Sequence, residues 1–332
     1  MTPRAAILIA TYNAERDVAD CLAAVAALST RPLEVVWIDG GSTDRTAERV
    51  RAEAHRLAAA GIPFELVAEP ENIGYAAAMN VGIRRTTAPW VLALNADARL
   101  APDYVDRLLG RVEAHGDRAG AATGRLLRFA TAGERDRLDA CGMYLVRAWR
   151  HFDRGSDEPD HGQFQTPARV FGATGAASLF GRRALEDVAV GPGHYFDELF
   201  HSYREDAELA FRLQERGWDV LYEPAAQARH RRFNLPQRRS AMSDLVNFHT
   251  LKNRYLLRAY HQTAGNFWRT LPWTLPRDVL AFGYVLLRER SSLPAYAWLL
   301  RNRRDILLRR KKIQSARTHS LEPWFNAESF PV

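Results

Sequence analysis

The chain has 332 residues, of which 47% are hydrophobic and 26% are charged. This length allows one large α/β domain with an appendage or two domains, and the composition excludes a disordered or low-complexity protein. Residues 231–332 carry 19 Lys/Arg against 6 Asp/Glu, whereas residues 1–230 carry 27 against 33. A basic C-terminal region on a slightly acidic body predicts contact with an anionic partner such as lipid headgroups or nucleic acid.

Short apolar runs alternate with helical patterns in the N-terminal part of the chain. These patterns predict strands at residues 5–10, 33–39, 64–69 and 90–94 and helices at residues 14–28, 43–60 and 75–85. Ser42 or Thr43 is the expected N-cap of the second helix. Alternation of this kind indicates a mostly parallel sheet covered by helices on both faces. After about residue 120 the segments become shorter and mixed, and after His230 the pattern is helical, basic and aromatic to the end.

Polar residues follow the predicted strands, where open parallel sheets bind their ligands. Asp39 and Asp97 stand at strand ends, and Glu205 and Asp206 form an acidic pair at the start of a later helix. Taken singly, each acid is more typical of a cap or a turn. A carboxylate at a strand end can also accept a hydrogen bond from a base or ribose, or bind Mg²⁺ or Mn²⁺. The sequence contains no dinucleotide-binding glycine motif, P-loop, zinc-protease motif or hydrolase nucleophile elbow.

Cysteine usage and hydropathy bear on the compartment. Cys21 and Cys141 fit no metal or redox spacing, which favours a reducing compartment. The first apolar run is too short for a signal peptide, and no window approaches the roughly 18 apolar residues of a membrane span. We therefore expect a cytoplasmic protein, or one that is peripheral on the inner face of the cell membrane.

Six stretches carry a family resemblance: "ILIATYNAERDVADCL", "VVWIDGGSTDRT", "ENIGYAAAMNVGI", "WVLALNADARL", "GATGAASLFGRRAL" and "FDELFHSYREDAELAFRL". In this order, between about residues 5 and 260, they resemble family-2 glycosyltransferases, which are inverting enzymes of the GT-A fold. Within the family the chain is similar to the rhamnosyltransferase-like branch of bacterial cell-envelope polysaccharide synthesis. The resemblance implies a nucleotide-sugar-binding half at 1–120 and an acceptor and catalytic half at 121–235, and it does not cover the last 70 residues well. The basic, helical pattern of residues 236–332 predicts a third, C-terminal region.

Carried over to this sequence, the resemblance implies a donor site for a dTDP- or UDP-sugar. Its residues would be Thr11, Tyr12, Asn13, Glu15, Asp39, Gly41, Asn72, Gly74, Asn80, Asn95 and Asp97. Asp39 would accept the N3–H of the pyrimidine, and Glu15 would lie near the ribose. The segment 95–97 replaces the family's D-x-D motif, so Asp97 is the implied ligand of Mg²⁺ or Mn²⁺. Asn95 can bind a hydroxyl but adds no charge.

The same resemblance implies the catalytic and metal-binding roles of later residues. Asp206 matches the general base, Glu205 precedes it as in the family, and His230 would complete the metal shell, although a lone histidine is equally typical of a surface or core position. Glu208 stands where Asp is commoner, and the alternative for this stretch is a solvent-exposed helix face with Glu208 paired to Arg212. Glu205, Arg231 and Arg232 are expected near the acceptor or the diphosphate.

The C-terminal region mixes apolar stripes, aromatic residues and clustered Arg/Lys, which is typical of an interfacial helix on anionic lipid. The alternative is a helical region packed on the core or on a second subunit of a homodimer. No nucleic-acid-binding module is recognised, so nucleic acid is not an expected partner. The prediction is an inverting, metal-dependent glycosyltransferase that moves a sugar, such as L-rhamnose from dTDP-rhamnose, to a glycan or lipid-linked acceptor. A catalytically silent glycan- or lipid-binding protein and a sugar nucleotidyltransferase are the alternatives.

Overall fold

The computed structural model of the protein describes residues 2–129, 136–232 and 243–332. Within these ranges the strands are β1 (Ala5–Thr11), β2 (Leu33–Asp39), β3 (Phe64–Ala68), β4 (Trp90–Leu94), β5 (Ala98–Leu100), β6 (Ala119–Arg128), β7 (Leu138–Ala140), β8 (Met143–Val146), β9 (Arg150–Asp153), β10 (Ala168–Val170), β11 (Ala177–Gly181) and β12 (Asp219–His230). The helices are α1 (Val18–Ala26), α2 (Thr46–Glu53), α3 (His55–Ala59), α4 (Tyr75–Arg84), α5 (Tyr104–His115), α6 (Arg182–Asp187), α7 (Glu205–Arg216), α8 (Asp244–His261), α9 (Ala264–Leu287), α10 (Pro294–Arg301) and α11 (Arg303–Ala316).

The central sheet has the strand order β10-β12-β6-β11-β4-β1-β2-β3. Strands β4, β1, β2 and β3 are parallel, and β11 is antiparallel to both β4 and β6. Along β1, Ile7 and Ile9 belong to one hydrophobic cluster and Leu8 to another on the opposite face. Because both faces are buried, helices must cover both sides. The predicted fold class, a mainly parallel sheet between helices, is confirmed.

The loop before α2 differs from its prediction. The helix expected at 43–60 is two helices, and neither Ser42 nor Thr43 is its N-cap. The Ser42 hydroxyl instead donates to Asp39, and the backbone N–H of Thr43 donates to Asn13 at 2.8 Å. Asp44 accepts from the backbone N–H of Thr46 at 2.9 Å, which allows the helix to begin at Thr46. Contacts with the loop after β1 therefore outweighed the local capping preference.

The C-terminal helices pack on the second half of the sheet. Phe211 of α7, Leu256 and Tyr260 of α8, Ile313 of α11 and Trp324 share one hydrophobic cluster. The expectation of helix to the end of the chain is wrong for residues 317–332, which contain only one short 3-10 helix, Glu322–Trp324. In this segment Phe325 and Phe330 form isolated bridges with Leu145 of β8 and Arg169 of β10. In the part of the chain that the structure describes, no helix is long and apolar enough to cross a bilayer. The predicted boundary at 235/236 lies outside the described residues.

A buried ion pair within α7 also contacts a histidine of α8. Glu208 and Arg212, spaced i,i+4 and 2.7 Å apart, are 0% and 3% exposed, so the alternative of a solvent-exposed helix face is wrong. His261 of α8 also lies 3.6 Å from Glu208. Burial alone would raise the pKa of Glu208, but Arg212 and His261 outweigh burial and lower that pKa to about 2. Glu208 therefore has a structural role here.

We expect Glu208→Gln to lower the free energy of unfolding by about 3–5 kcal/mol, because it leaves the Arg212 charge buried without its partner. Since its folded pKa lies below the unfolded value of 4.5, Glu208 stabilises the protein above pH 4.5, and this contribution is lost as the pH falls toward 2. Urea unfolding across this pH range measures both effects. The control Asp103→Asn removes an exposed pair with Arg107 and should cost at most about 1 kcal/mol. Equal losses in the two variants would contradict the structural role.

Candidate active site

A cavity of about 380 Å³ opens at the carboxyl ends of β1 and β2. Thr11, Tyr12, Asn72 and Gly74 line one side of it, as the donor site predicted from the sequence requires. The other side is formed by Ser202 and its neighbours and by the start of α8, including His249. Sequence analysis did not identify this second wall, because it comes from segments more than a hundred residues away along the chain.

Asp39 lies next to this cavity at the end of β2, where Gly40 contributes to the lining. Its side chain is 4% exposed, and one carboxylate oxygen accepts from the Ser42 hydroxyl at 2.5 Å. The Thr11 hydroxyl accepts from the Trp37 indole N–H at 2.9 Å and donates to the Ile38 carbonyl. Thr11 therefore contributes to the cavity wall while its hydroxyl is used within the sheet, and its expected part in the donor site stays a prediction. Tyr12 is 48% exposed at the cavity.

Three further predicted donor residues hold two loops together. The Asn13 carboxamide oxygen accepts from the backbone N–H of Thr43, and the Glu15 carboxylate accepts from the backbone N–H of Arg45 at 3.1 Å. Gly41 has φ of 79°, and a Cβ there would lie 2.3 Å from the Glu71 backbone. These contacts fix the loops after β1 and β2 on either side of Asp39.

The start of α4 forms the rim of the cavity. The Asn72 carboxamide oxygen accepts from the backbone N–H of Gly74 at 3.0 Å. Gly74 has φ of 79°, and a Cβ there would overlap the His201 ring at 1.6 Å, so only glycine fits. Asn80 departs from its predicted role: it is fully buried and its amide bonds Phe196 and the Glu198 carboxylate. Asn80 supports the wall rather than facing the cavity.

Asp97 and His230 meet at the end of the sheet, although 132 residues separate them in the sequence. Strand β12 pairs with β5, which places His230 opposite Ala98. The Nε2 atom of His230 lies 3.2 Å from Asp97 Oδ1, and its Nδ1 atom lies 2.7 Å from Asp139 Oδ2. Asp139 is 1% exposed and was not predicted. Histidines that bind metal ions usually donate their other ring N–H to a carboxylate, which fixes the orientation of the imidazole.

The charges around His230 fit a divalent cation. Burial opposes its charged form, but the hydrogen bonds and charges of Asp139 and Asp97 outweigh burial and raise its pKa to about 9. A cation held by Asp97 would replace the His230 proton and leave Nε2 as a second ligand. In residues 2–129, 136–232 and 243–332, no three His, Cys, Asp or Glu side chains converge as a metal site. The remaining ligands would therefore be diphosphate and water oxygens.

Asp206, at the start of α7, lies beside the end of β4. Its carboxylate accepts from the backbone N–H of Gly175 at 2.8 Å and of Ala207 at 2.7 Å. The neighbouring Ala176 carbonyl accepts from the backbone N–H of Asn95, and Tyr75 donates from its hydroxyl to the Gly175 carbonyl at 3.2 Å. The loop at Gly175 and Ala176 thus connects Asp206 to the Asn95–Asp97 segment. Through Tyr75 it also connects Asp206 to the cavity at the ends of β1 and β2, which we call the donor cavity.

The environments of the two neighbouring acids differ. Burial raises the pKa of Asp206, while its backbone N–H donors and the Arg204 charge oppose that rise. Burial and the Asp206 charge raise the pKa of Glu205 well above its usual range, and one oxygen of Glu205 is buried without a hydrogen bond. Because the pKa of Glu205 is raised further than that of Asp206, Asp206 is the acid of the pair that ionises first. This arrangement suits a general base near neutral pH.

The loop before Asp206 is strained. His201, Tyr203 and Arg204 have φ of 62°, 70° and 70°, a conformation that costs non-glycine residues about 1–3 kcal/mol each. Asn253 of α8 donates to the carbonyls of Ser202 and Tyr203 and holds this loop in place. Strain of this kind is concentrated at functional sites. Neither Tyr203 nor Arg204 is a residue type that favours a left-handed conformation, so the sequence did not predict this turn.

Both arginines that follow His230 form ion pairs with aspartates of the protein. Arg231 lies 2.8 Å from Asp17, and Arg232 lies 2.6 Å from Asp153 and 3.3 Å from Asp139. Arg232 therefore belongs to the same charge network as His230. The expected contacts of Arg231 and Arg232 with a diphosphate remain predictions.

Solved structures share this architecture. A mannosyltransferase from Pyrobaculum calidifontis, solved with GDP-Man and Mn²⁺, matches 95% of this chain and 86% of its own with a TM-score of 0.54 at 20% identity. Residues 1–349 of Staphylococcus aureus TarS, in complex with UDP-GlcNAc, match 97% of this chain and 86% of their own with a TM-score of 0.54 at 16% identity. These likenesses place the fold in the GT-A class.

Sequence comparison identifies the family. Residues 6–188, more than half of the chain, match Glycosyl transferase family 2, and the chain belongs to this family of glycosyltransferases. An N-acetylglucosaminyl-diphospho-decaprenol L-rhamnosyltransferase of Mycobacterium tuberculosis is 28% identical over 87% of this chain and 94% of its own length. An N-acetylglucosaminyltransferase of Mesorhizobium japonicum is 36% identical over 68% of this chain and 51% of its own. The predicted family and enzyme class are confirmed.

Proposed function

We propose that the protein transfers L-rhamnose from dTDP-rhamnose, or the sugar of a related UDP-sugar, to a lipid-linked glycan with inversion at the anomeric carbon. The observation that carries this proposal is the Gly175–Ala176 loop, which holds Asp206 beside the strand end that bears Asp97. The proposed proton acceptor and the proposed diphosphate site would then serve one reaction centre. The similarity to the mycobacterial rhamnosyltransferase supports this choice of donor and acceptor.

In the proposed reaction, the acceptor hydroxyl oxygen attacks the anomeric carbon while Asp206 takes its proton. The bond between the anomeric carbon and the β-phosphate oxygen breaks, and the nucleoside diphosphate leaves with that electron pair. The backbone N–H groups of Gly175 and Ala207 aim the Asp206 carboxylate. The raised pKa of Glu205 disfavours a second negative charge beside the base.

Asp97 and His230 would hold the cation, with Asp139 orienting the imidazole. Mg²⁺ or Mn²⁺ there supplies charge stabilisation to the departing diphosphate. Asp39 would select a pyrimidine by accepting its N3–H, because an oxygen of a buried carboxylate discriminates strongly for a donor group. The loops after β1 and β2, fastened by Asn13 and Glu15, hold Asp39 in position.

The C-terminal region is proposed to contact a membrane surface. Among the described residues, nine of the sixteen exposed large hydrophobic side chains lie on α9, including Trp268, Leu280 and Leu287. Arg288 and Arg290 follow at the end of this helix. An exposed apolar stripe bordered by arginines suits the interface of an anionic membrane.

A transfer assay tests the proposed function. Purified protein with Mn²⁺ and a polyprenyl-diphospho-N-acetylglucosamine acceptor should release dTDP from dTDP-rhamnose and form a rhamnosylated lipid. The β- or α-configuration of the new linkage, read by NMR, should be opposite to that of the donor. Transfer from UDP-sugars alone would move the donor assignment to that class. Nucleotide binding without transfer to any acceptor would favour a silent binding protein.

A further inference from the structure

A second cavity, of about 500 Å³, lies between α8, α9 and β9. Its lining contains four arginines, Arg150, Arg204, Arg254 and Arg277, and no acidic residue. We call it the arginine cavity. Sequence analysis did not single out these residues, because they come from four separate segments of the chain.

Positive charge is concentrated in the arginine cavity. Asp278, next to Arg277, pairs with Arg254 but also with Arg258, so one carboxylate serves two guanidinium groups. Arg277 donates to the Ala148 carbonyl at 3.0 Å. Burial and the charges of Arg254, Arg150 and Arg204 lower the pKa of Arg277 to about 9. An anion in the cavity would relieve this repulsion.

The arginine cavity adjoins the proposed general base. Ser202 and Tyr203 line the donor cavity, whereas Arg204, next along the strained loop, lines the arginine cavity. Asp206 follows two residues later and feels the Arg204 charge. The strained loop that carries Asp206 thus contributes residues to both cavities, and a ligand in the arginine cavity contacts the residue two positions before Asp206.

The outer wall of the arginine cavity is apolar. Leu280 and Tyr284 line it and are 74% and 46% exposed. Trp273 and Leu287, 45% and 78% exposed, continue the same face of α9 at helical spacing. An arginine-rich cavity that opens onto an exposed apolar helix face is complementary to an amphiphile with an anionic head and a hydrocarbon chain.

We propose that the arginine cavity binds the diphosphate of the lipid-linked acceptor, with its lipid chain along the apolar face of α9 and its sugar directed toward Asp206. The inference rests on the proposed function and assigns the acceptor's anchoring site. Four arginines from separate elements match the several oxygens and negative charges of a diphosphate better than those of one phosphate.

Vesicle sedimentation tests the proposal without catalysis. The probes are phosphatidylcholine vesicles that contain geranylgeranyl diphosphate, geranylgeranyl monophosphate, or phosphatidylglycerol at equal surface charge. We expect the tightest binding to the diphosphate vesicles. Arg277→Gln should weaken that binding about tenfold or more, as expected for one lost charge-assisted bond. The control Arg107→Gln removes an exposed arginine of α5 that does not line the cavity and should retain this binding.

Three results would overturn the proposal: equal binding to all anionic vesicles, equal losses in the two variants, or full competition by inorganic pyrophosphate with no effect of the lipid chain. A thermal shift with the donor nucleotide, measured on the same samples, separates this inference from the proposed function. A retained nucleotide shift in Arg277→Gln also shows that the variant is folded. If nucleotide binds but the diphosphate vesicles do not, only the acceptor-site inference fails.

Discussion

Replacing Asp206 with Asn is expected to lower kcat by a factor of about a hundred to ten thousand, which is the usual contribution of a general base. The amide keeps the shape of the side chain, but Gly175 and Ala207 donate to different carboxylate oxygens, so the single amide oxygen can accept from only one of these backbone N–H groups. It cannot take a proton from the acceptor. Donor binding should be unchanged, because Asp206 does not line the donor cavity. Measuring kcat and the nucleotide dissociation constant on one preparation tests both expectations.

The pH profile gives a second readout for Asp206. Since burial raises the pKa of Asp206, its base form is lost as the pH falls through that raised value. We therefore expect kcat/KM to increase with pH on the acidic side and then level off, and this limb should disappear in the residual activity of Asp206→Asn. Asp305→Asn, which removes an exposed carboxylate from the first turn of α11, is the control and should retain wild-type rates. An unchanged rate in Asp206→Asn would exclude Asp206 as the base.

Replacing Asp97 with Asn is expected to lower kcat/KM by about a thousandfold. Stabilisation of a leaving group by a metal contributes several kcal/mol, and each 1.36 kcal/mol is a factor of ten in rate. The variant keeps a hydrogen-bonding group near His230 but loses the charge. Nucleotide binding should lose its dependence on Mn²⁺, which calorimetric titration with and without the ion measures directly.

Two further variants test the role of Asp97: one removes an unrelated carboxylate and the other adds a carboxylate near Asp97. Asp117→Asn removes a highly exposed carboxylate that pairs with Arg183 and should change neither rate nor ion dependence. Asn95→Asp adds a second charge to the segment and should raise the affinity for Mn²⁺ in the absence of nucleotide. Full activity of Asp97→Asn, with its Mn²⁺ dependence intact, would contradict the assignment of Asp97 as the metal ligand.

The sequence predicted the first half of the fold well because its signals are local. Apolar runs define β2 and β4 at their observed bounds, 33–39 and 90–94. Polar residues at those strand ends then had to gather at one edge of a parallel sheet. For the same reason, the sequence alone predicted that Asp39 and Asp97 follow the ends of β2 and β4 at this edge of the sheet.

The features of the site that the sequence did not predict depend on contacts between segments that are distant along the chain. Asp139 supports His230 from a short strand whose pattern gives no sign of a site. The left-handed conformation of Tyr203 and Arg204 is imposed by packing under α8, since neither residue favours it. Asn80 belongs to the expected motif, yet its side-chain amide hydrogen-bonds to the backbone of Tyr195 and Phe196 inside the protein. A motif therefore indicates which segments line a cavity without telling which of their side chains face it.

Thermal unfolding with UDP, dTDP, GDP and ADP, each with and without Mn²⁺, tests the donor site most directly. A ligand at a hundred times its dissociation constant adds about 2.7 kcal/mol of stability, which raises Tm by a few degrees. The site built on Asp39 and Asp97 predicts a Mn²⁺-dependent shift with dTDP or UDP and little shift with GDP or ADP. Equal shifts with all four nucleotides, or none with either pyrimidine diphosphate, would contradict it.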